Sequence, residues 1–249
     1  MTAVGRRTRW LTGSGLLVAG TVAGPALSSI GPLRRRSAPV LSGIGPHHRV
    51  ALTYDDGPDR RSTPAFLELL GRYDVRATFF LLGEHVATHR SLVTRMAAAG
   101  HELGVHGWDH TCVLRKRPSV LREELRRTSS IIEDAAGSPV RWYRPPYGVL
   151  STPALLAARS AGLQTTLWSA WGRDWERAAT PARIVGTVEA TLRPGGTVLL
   201  HDTDRTSAPD SWRRTLTASH HLLGAWADQH LPAGPLADHG IGRLHAADG

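Results

Sequence analysis

The feature that most constrains this 249-residue chain is an alternation of short apolar runs with helical segments. Each run is four to six residues long, as expected of a buried strand. The helical patterns between the runs are long enough to carry the chain from one parallel strand to the next. This alternation favours parallel βαβ units in an open sheet or a barrel, and the spacing alone does not decide between the two.

Six strands and six helices are predicted from this pattern. The strands are expected at 50–54, 77–82, 102–105, 140–143, 163–168 and 197–200. The helices are expected at 63–72, 85–99, 119–136, 153–161, 181–192 and 211–229. Pro64 suits the first turn of its helix, and Gly100 is typical of a residue that ends one.

The composition indicates a domain with a sizeable core and excludes several classes of protein. Apolar residues make up 41% of the chain and charged residues 20%, which excludes a collagen, a wholly disordered chain and a polytopic membrane protein. The one cysteine, Cys112, excludes an internal disulfide and a thiolate-rich zinc finger. The thirteen histidines leave metal sites of imidazole and carboxylate ligands open.

The excess of positive charge lies mainly at the N-terminus. The net charge is +9, but residues 1–36 carry six arginines and no acidic residue, which leaves +3 for 37–249. A nucleic-acid-binding protein is expected to carry a basic face on its folded domain. We therefore expect no nucleic-acid partner.

Residues 1–36 have the layout of a targeting segment. Arginines precede the uncharged stretch 10–33, which is the order of a signal peptide, and the small residues Ala26 and Ser28 offer a cleavage signal. The stretch is also long enough for a single membrane anchor, and a disordered basic tail is the third alternative. All three place residues 1–36 outside the fold, with the domain at 37–249. The first two predict an exported protein whose membrane contact is confined to this segment.

Five polar clusters follow the predicted strands. They are Tyr54-Asp55-Asp56-Gly57-Pro58, His106-Gly107-Trp108-Asp109-His110, Arg144-Pro145-Pro146-Tyr147-Gly148, Asp174-Trp175 and His201-Asp202. The carboxyl ends of parallel strands lie on one face of an α/β fold, and sites are built there. The clusters can therefore converge although they are far apart in the sequence.

Each cluster also has a purely structural interpretation. Asp55-Asp56-Gly57 is turn chemistry on its own, and a histidine such as His201 is common at a strand end. The functional interpretation is that adjacent carboxylates point in different directions, so that one binds a metal while the other handles a proton. Two imidazoles and one carboxylate with an open position form the ligand set of a catalytic zinc.

Taken together, the five clusters resemble the motifs of the polysaccharide deacetylase family, the NodB-homology domain of carbohydrate esterase family 4. The likeness covers about residues 47–230. Tyr54 stands for the usual Phe, Gly107 for the commoner Ser or Thr, and Trp171 for a further Asp that many relatives carry. The resemblance implies an α/β fold, an irregular (β/α) TIM-like barrel, and a divalent metal, commonly zinc.

The resemblance also implies roles for residues of this sequence. The implied metal ligands are Asp56, His106 and His110. Asp55 would be the general base, oriented by Arg144, and His201 the general acid, oriented by Asp174. The implied substrate contacts are the backbone N–H of Tyr147 for the oxyanion, Trp175 and Leu199 for the acetyl methyl, and Trp108 and Trp171 for a sugar ring. Packing in the core or at the rim is the alternative for the last two side chains.

The implied reaction is the removal of N-acetyl groups from N-acetylglucosamine units of an acetylated glycan, such as peptidoglycan or a chitin-like polymer. A monomer is expected. An O-acetyl esterase and a glycolipid amide deacetylase share the same metal chemistry and stay open as alternatives. A non-catalytic sugar-binding relative is disfavoured, because every acidic and histidine position of the motifs is filled apart from the Asp replaced by Trp171.

Overall fold

The computed structural model describes residues 31–241, which form a sheet of eight strands, all paired in parallel, with helices packed around it. The strands are β1 (Val50–Asp55), β2 (Thr78–Leu82), β3 (Glu102–Gly107), β4 (Trp142–Tyr143), β5 (Gln164–Thr165), β6 (Ala170–Trp171), β7 (Thr197–His201) and β8 (Ala233–Gly234). Their order is β5-β4-β3-β2-β1-β7-β6, and β8 pairs with the start of β1.

Eight α-helices are described within the same range. They are α1 (Gly31–Ser37), α2 (Thr63–Arg72), α3 (Gly83–Thr88), α4 (Arg90–Ala98), α5 (Pro118–Ala136), α6 (Thr152–Ser160), α7 (Pro181–Thr191) and α8 (Ser211–Asp228). No helix in the part of the chain from residue 31 to residue 241 has both the length and the apolarity that crossing a membrane requires.

The central strands are buried on both faces, which explains why they read as continuous apolar runs. Every residue of β1 and β2 is buried, as expected where helices cover one face of a parallel sheet and side chains fill the other. The helix layer contributes apolar stripes, such as Leu121, Leu125 and Ile132 on α5. The inner face buries a second cluster that includes Phe80 and Trp142. The architecture is the predicted (β/α) barrel type, with a curled and incompletely regular sheet.

The structure corrects the predicted elements at two points. The helix expected at 85–99 is two helices, α3 and α4, because His89 between them has non-helical backbone angles of φ −132° and ψ 36°. The sheet has two strands more than predicted, β6 and β8. Each is two residues long, which is too short to show a strand periodicity in the sequence.

The expectation that residues 1–36 lie outside the fold is wrong for the part of that segment that the structure describes. Gly31–Ser37 is helical, and Arg34 on it is only 3% exposed. Its guanidinium Nη2 donates a hydrogen bond of 2.7 Å to the carbonyl oxygen of Trp168. Helix α1 therefore packs against the domain. The choice between signal peptide, anchor and tail concerns mainly residues 1–30, outside the described residues.

The polar clusters lie together at the carboxyl ends of the strands. Asp55 ends β1 and His201 ends β7, and the two residues are direct neighbours in the register of these parallel strands. His106 lies near the end of β3, and Arg144 directly follows β4. The convergence expected from parallel strand ends is thus observed.

Candidate active site

A cavity of about 260 Å³ opens at the carboxyl ends of the strands. All five polar clusters contribute to its lining. The lining residues are Asp55, His106, His110, Tyr147, Gly148, Trp168, Trp171, Trp175, Leu199, His201, Thr206 and Ser207. The cavity therefore combines titratable groups on one part of its wall with an aromatic surface on another.

Three potential metal ligands face one another at the cavity. Oδ1 of Asp56 lies 3.2 Å from Nε2 of His106 and 3.3 Å from Nε2 of His110. Two ligand atoms bound at about 2.0–2.1 Å to one tetrahedral zinc are separated by about 3.3 Å, so the observed distances fit a shared cation. Asp56 is fully buried, and its Oδ1 has no hydrogen-bond partner among the described residues. A buried carboxylate oxygen without a donor is costly unless a cation binds it, so these residues fit a divalent metal.

Hydrogen bonds behind the ligands aim them at this position. Nδ1 of His106 donates to the carbonyl oxygen of Arg144 at 2.8 Å, which leaves Nε2 with its lone pair toward the cation position. The second oxygen of Asp56, Oδ2, accepts a hydrogen bond from the hydroxyl of Thr206. One carboxylate oxygen is thereby held by the protein while the other is left for a metal.

The charge environment keeps Asp56 ionised. Burial alone would raise the pKa of its carboxyl, but the close approach of His106 and the positive charge of His201 hold that pKa far below its usual range. Burial lowers the pKa of His110 to about 4. An ionised carboxylate beside a neutral imidazole is the protonation state that a metal site requires.

Asp55, the other member of the acidic pair, has different partners. Its Oδ1 accepts a hydrogen bond of 2.7 Å from Nη1 of Arg144, while its Oδ2 lies 3.8 Å from Nε2 of His106. Arg144 is fully buried and also donates to Thr53 Oγ1 at 2.7 Å and to the carbonyl oxygen of Leu167 at 2.9 Å. The guanidinium therefore fixes the orientation of the Asp55 carboxylate and leaves its second oxygen facing the cavity.

His201 is paired with the buried carboxylate of Asp174. Nδ1 of His201 lies 3.0 Å from Oδ1 of Asp174, and Oδ2 of Asp174 accepts from the backbone N–H of His201 at 2.8 Å and from the hydroxyl of Thr215 at 2.9 Å. Burial works against the charged ring, but the charge and hydrogen bond of Asp174 dominate and raise the pKa of His201 well above its usual value. Asp174 thereby favours the imidazolium form of the ring, whose Nε2 lies 3.9 Å from Oδ2 of Asp56.

An aromatic wall forms the remaining side of the cavity. Trp171 stacks on Trp168 with ring centroids 6.1 Å apart, and it meets Trp175 edge-on at 5.4 Å. Trp175 in turn packs edge-on against His201 at 5.5 Å. Leu199, only 3% exposed, lines the cavity with them. Such a wall offers a mainly apolar surface to a ligand in the cavity.

The turn after β4 brings Tyr147 to the rim. Its backbone has a φ of +60°, a left-handed conformation that is uncommon for a residue with a side chain. The residue is 62% exposed, and the centroid of its ring lies 4.5 Å from that of the His110 ring. Strained residues of this kind concentrate at functional sites. The turn thus presents both an aromatic ring and a backbone at the cavity.

One residue proposed from the sequence as a substrate contact is not brought to the cavity. Trp108 packs against Gly83, where an added Cβ would collide with the indole ring, and beneath the guanidinium of Arg127 at 3.7 Å. These contacts belong to rim packing, which is the structural alternative for Trp108. Conversely, Trp168 and Thr206 contribute to the site without having been predicted. Thr206 lies in a polar run directly after the strand that ends at His201, and that position is the one sequence signal for it.

Comparison with known proteins agrees with this geometry. A family model for polysaccharide deacetylase matches residues 43–166. The chitooligosaccharide deacetylase of Bradyrhizobium sp. (strain ANU 289) is 40% identical over 154 residues, which cover 61% of this chain and 70% of that enzyme. This chain belongs to the polysaccharide deacetylase family. The chain is therefore a polysaccharide deacetylase, an enzyme that hydrolyses amide bonds.

Solved structures of the family give the same fold. The peptidoglycan N-acetylglucosamine deacetylase Bc1960 is 28% identical with a TM-score of 0.73, covering 80% of this chain and 91% of that one. A pseudoenzyme of the CE4 family from Bacillus anthracis is 26% identical with a TM-score of 0.71, covering 79% of this chain and 66% of that one. Because the same fold occurs in an enzyme and in a pseudoenzyme, the side chains of the site must carry the argument for activity.

Proposed function

We propose that this polysaccharide deacetylase is a metal-dependent hydrolase that removes N-acetyl groups from N-acetylglucosamine units of a glycan outside the cytoplasm. The observation that carries the proposal is that a base candidate, an acid candidate and three potential metal ligands converge at one cavity, with the base held by the buried Arg144 and the acid by the buried Asp174. The names of the relatives, deacetylases of chitooligosaccharide and of peptidoglycan, support the substrate class. Peptidoglycan lies outside the cytoplasm, which supports the place of action.

The metal would be held by Asp56, His106 and His110, and zinc is the proposed ion because two imidazoles and a carboxylate are a common zinc set. When bound, such a cation supplies Lewis acidity, which polarises a carbonyl and makes water a stronger acid.

The protein's own residues would carry the proton transfers. Asp55 would accept the proton of the attacking water, since Arg144 occupies one of its oxygens and the other faces the cavity. His201 would give a proton to the departing amine, because an amine is a poor leaving group until it is protonated. Asp174 would keep that proton on the ring until it is needed. Positioned proton transfers of this kind each contribute about 10²–10⁴-fold in rate.

The remaining residues would bind the acetylated sugar. The backbone N–H of Tyr147 would donate to the oxyanion that forms at the acetyl carbon, as backbone donors do in other acyl transfers. Leu199 and Trp175 would enclose the methyl group, and Trp171 would offer a ring for a sugar face. Each of these side chains lines the cavity.

The test is a comparison of acetate release from chitin oligomers, peptidoglycan and acetylated xylan by the metal-loaded full chain. We expect release from the first two substrates, and a loss of about 10²–10⁴-fold in His201→Ala with unchanged metal content. His48→Ala is the matched control, since this exposed histidine lies outside the cavity. Release from acetylated xylan alone would instead support the O-acetyl esterase, and full activity of His201→Ala would refute the proposed acid.

A further inference from the structure

The first helix of the described chain reaches the wall of the active-site cavity. Arg34 on α1 is 3% exposed, and its side chain bonds to a residue 134 positions further along the sequence. Its Nη2 donates to the carbonyl oxygen of Trp168 at 2.7 Å, and its guanidinium carbon lies 5.4 Å from the centroid of the Trp168 ring. Its Nε donates to Ser42 Oγ at 3.2 Å. One side chain thus holds both the backbone and the ring of Trp168.

The guanidinium of Arg34 is buried in the domain together with the rest of its side chain. Burial, with the nearby charges of Arg35 and Arg144, lowers the pKa of Arg34 to about 10. An arginine that only attached α1 to the surface would keep its charged end in water. The buried guanidinium, which bonds to the Trp168 carbonyl oxygen and lies near the Trp168 ring, therefore indicates a contact specific to that residue.

Trp168 is the point where the aromatic wall meets the turn that carries Tyr147. Its ring packs on Gly148, where an added Cβ would lie 2.5 Å from the ring, and it stacks on Trp171. Gly148 directly follows Tyr147 and has a φ of +64°. A shift of the Trp168 ring would consequently move the wall of the cavity and release the turn beside it.

The backbone of Leu167, the residue before Trp168, is held by two hydrogen bonds. The N–H of Leu167 donates to the carbonyl oxygen of Leu41 at 2.8 Å, on the N-terminal side. The carbonyl oxygen of Leu167 accepts a hydrogen bond of 2.9 Å from Nη2 of Arg144, whose Nη1 donates to Asp55. Two arginines therefore fix the segment between β5 and β6. Arg144 also bonds to the proposed base Asp55, whereas Arg34 lies outside residues 43–166, which the family model matches.

We propose that Arg34 is a positioning residue for the substrate cavity: it holds Trp168 and, through it, the aromatic wall and the Tyr147 turn that bind the acetylated sugar. Helix α1 is then a functional part of the deacetylase domain. The proposal rests on the function proposed above. It concerns sugar binding, so its effect falls mainly on substrate affinity and leaves the metal ligands untouched.

The experiment compares Arg34→Ala and Arg34→Lys with the wild type in the full chain. Arg36→Ala is the control, because Arg36 is an exposed arginine on the same helix. We expect KM for chitin oligomers to rise about tenfold in Arg34→Ala, the size of one charge-assisted hydrogen bond, with metal content and circular dichroism unchanged. Arg34→Lys should behave like Arg34→Ala, since an ammonium group cannot bond and stack at once. Arg36→Ala should match the wild type.

Two further measurements separate positioning from general stability. In an Asp55→Asn background, in which we expect no turnover, calorimetry should show the same tenfold rise in Kd for chitin oligomers when Arg34 is replaced. In a Trp168→Ala background, Arg34→Ala should add no further loss, because its target is already removed. A fully additive loss, or a lower melting temperature with unchanged Kd, would overturn the proposal. Absence of acetate release by the wild type would instead count against the proposed function.

Discussion

The pairing of His201 with Asp174 makes a pH-dependent prediction for the variant Asp174→Asn. Asp174 is 1% exposed and accepts from three donors: the backbone N–H of His201, its ring Nδ1 and the hydroxyl of Thr215. An asparagine has one acceptor oxygen and one donor group. If the oxygen keeps the backbone N–H and Thr215, the amide N–H₂ faces Nδ1, where a protonated ring also carries a hydrogen. The substitution therefore disfavours the imidazolium.

The size of the effect follows from the bond that is lost. A hydrogen bond to a charged group contributes about 1.5–3 kcal/mol, and about 1.4 kcal/mol corresponds to one pKa unit. The pKa of His201, now raised by Asp174, should fall by about one to two units. The acid form is lost as the pH rises through that pKa, so a lower pKa moves the alkaline limb of the activity profile to lower pH. The maximal rate should fall as well, because the ring loses the acceptor that orients it.

The assay is kcat/KM for acetate release as a function of pH, which reports the ionisations of the free enzyme. Thr215→Val is the matched control: it removes a neutral donor to the same carboxylate and leaves the charge, so its alkaline limb should not move to lower pH. A folded Asp174→Asn protein with metal content and alkaline limb like those of the wild type would refute the pairing as a source of the acid.

The remaining predictions concern the metal ligands and the wall. Asp55→Asn should lose turnover and keep the metal, whereas Asp56→Asn should lose the metal because an amide supplies no negative charge. Elemental analysis after dialysis measures the metal content of both variants, and equal metal loss would contradict the assignment of Asp55 as base and Asp56 as ligand. Thr206→Val should raise the Kd for Zn²⁺ about 10- to 100-fold, because it removes a hydrogen bond to a metal ligand, whereas Thr206→Ser should keep the hydroxyl and most of the affinity. Calorimetry on metal-free protein measures both Kd values, and an unchanged Kd in the valine variant would show that Thr206 does not position Asp56. Trp171→Ala should raise KM for chitin oligomers about 3- to 10-fold with unchanged metal content, the effect of one lost aromatic contact; steady-state kinetics checks it, and an unaltered KM would assign Trp171 to packing alone.

The strands and the convergence of the site were predictable because their signals are local. An apolar run of four to six residues specifies a buried strand, and polar residues directly after it mark the strand end. Parallel pairing then places those ends at one edge whatever the exact path of the chain. Asp55 and His201 are neighbours for this reason, one at the end of β1 and the other at the end of β7.

The residues that sequence reasoning missed make contacts that only the folded chain creates. Thr206 bonds to Asp56 across 150 positions of sequence, and Arg34 bonds to Trp168 across 134. Neither contact follows from a periodicity or a spacing, because the paths of the loops decide where these side chains arrive. Arg34 was for the same reason assigned to a segment outside the fold. The charge pattern of residues 1–36 is typical of a targeting segment and does not indicate which of its side chains pack against the domain.

The tryptophans show most clearly what the sequence determined and what the tertiary structure decided. The family resemblance implied sugar contacts for Trp108 and Trp171, with packing as the alternative for both. Only the fold separates them: Gly83 leaves room for the Trp108 ring against α3, and Gly148 leaves room for the Trp168 ring against the cavity. A side chain goes where the neighbouring backbone leaves space for it, and that space exists only once distant segments have packed.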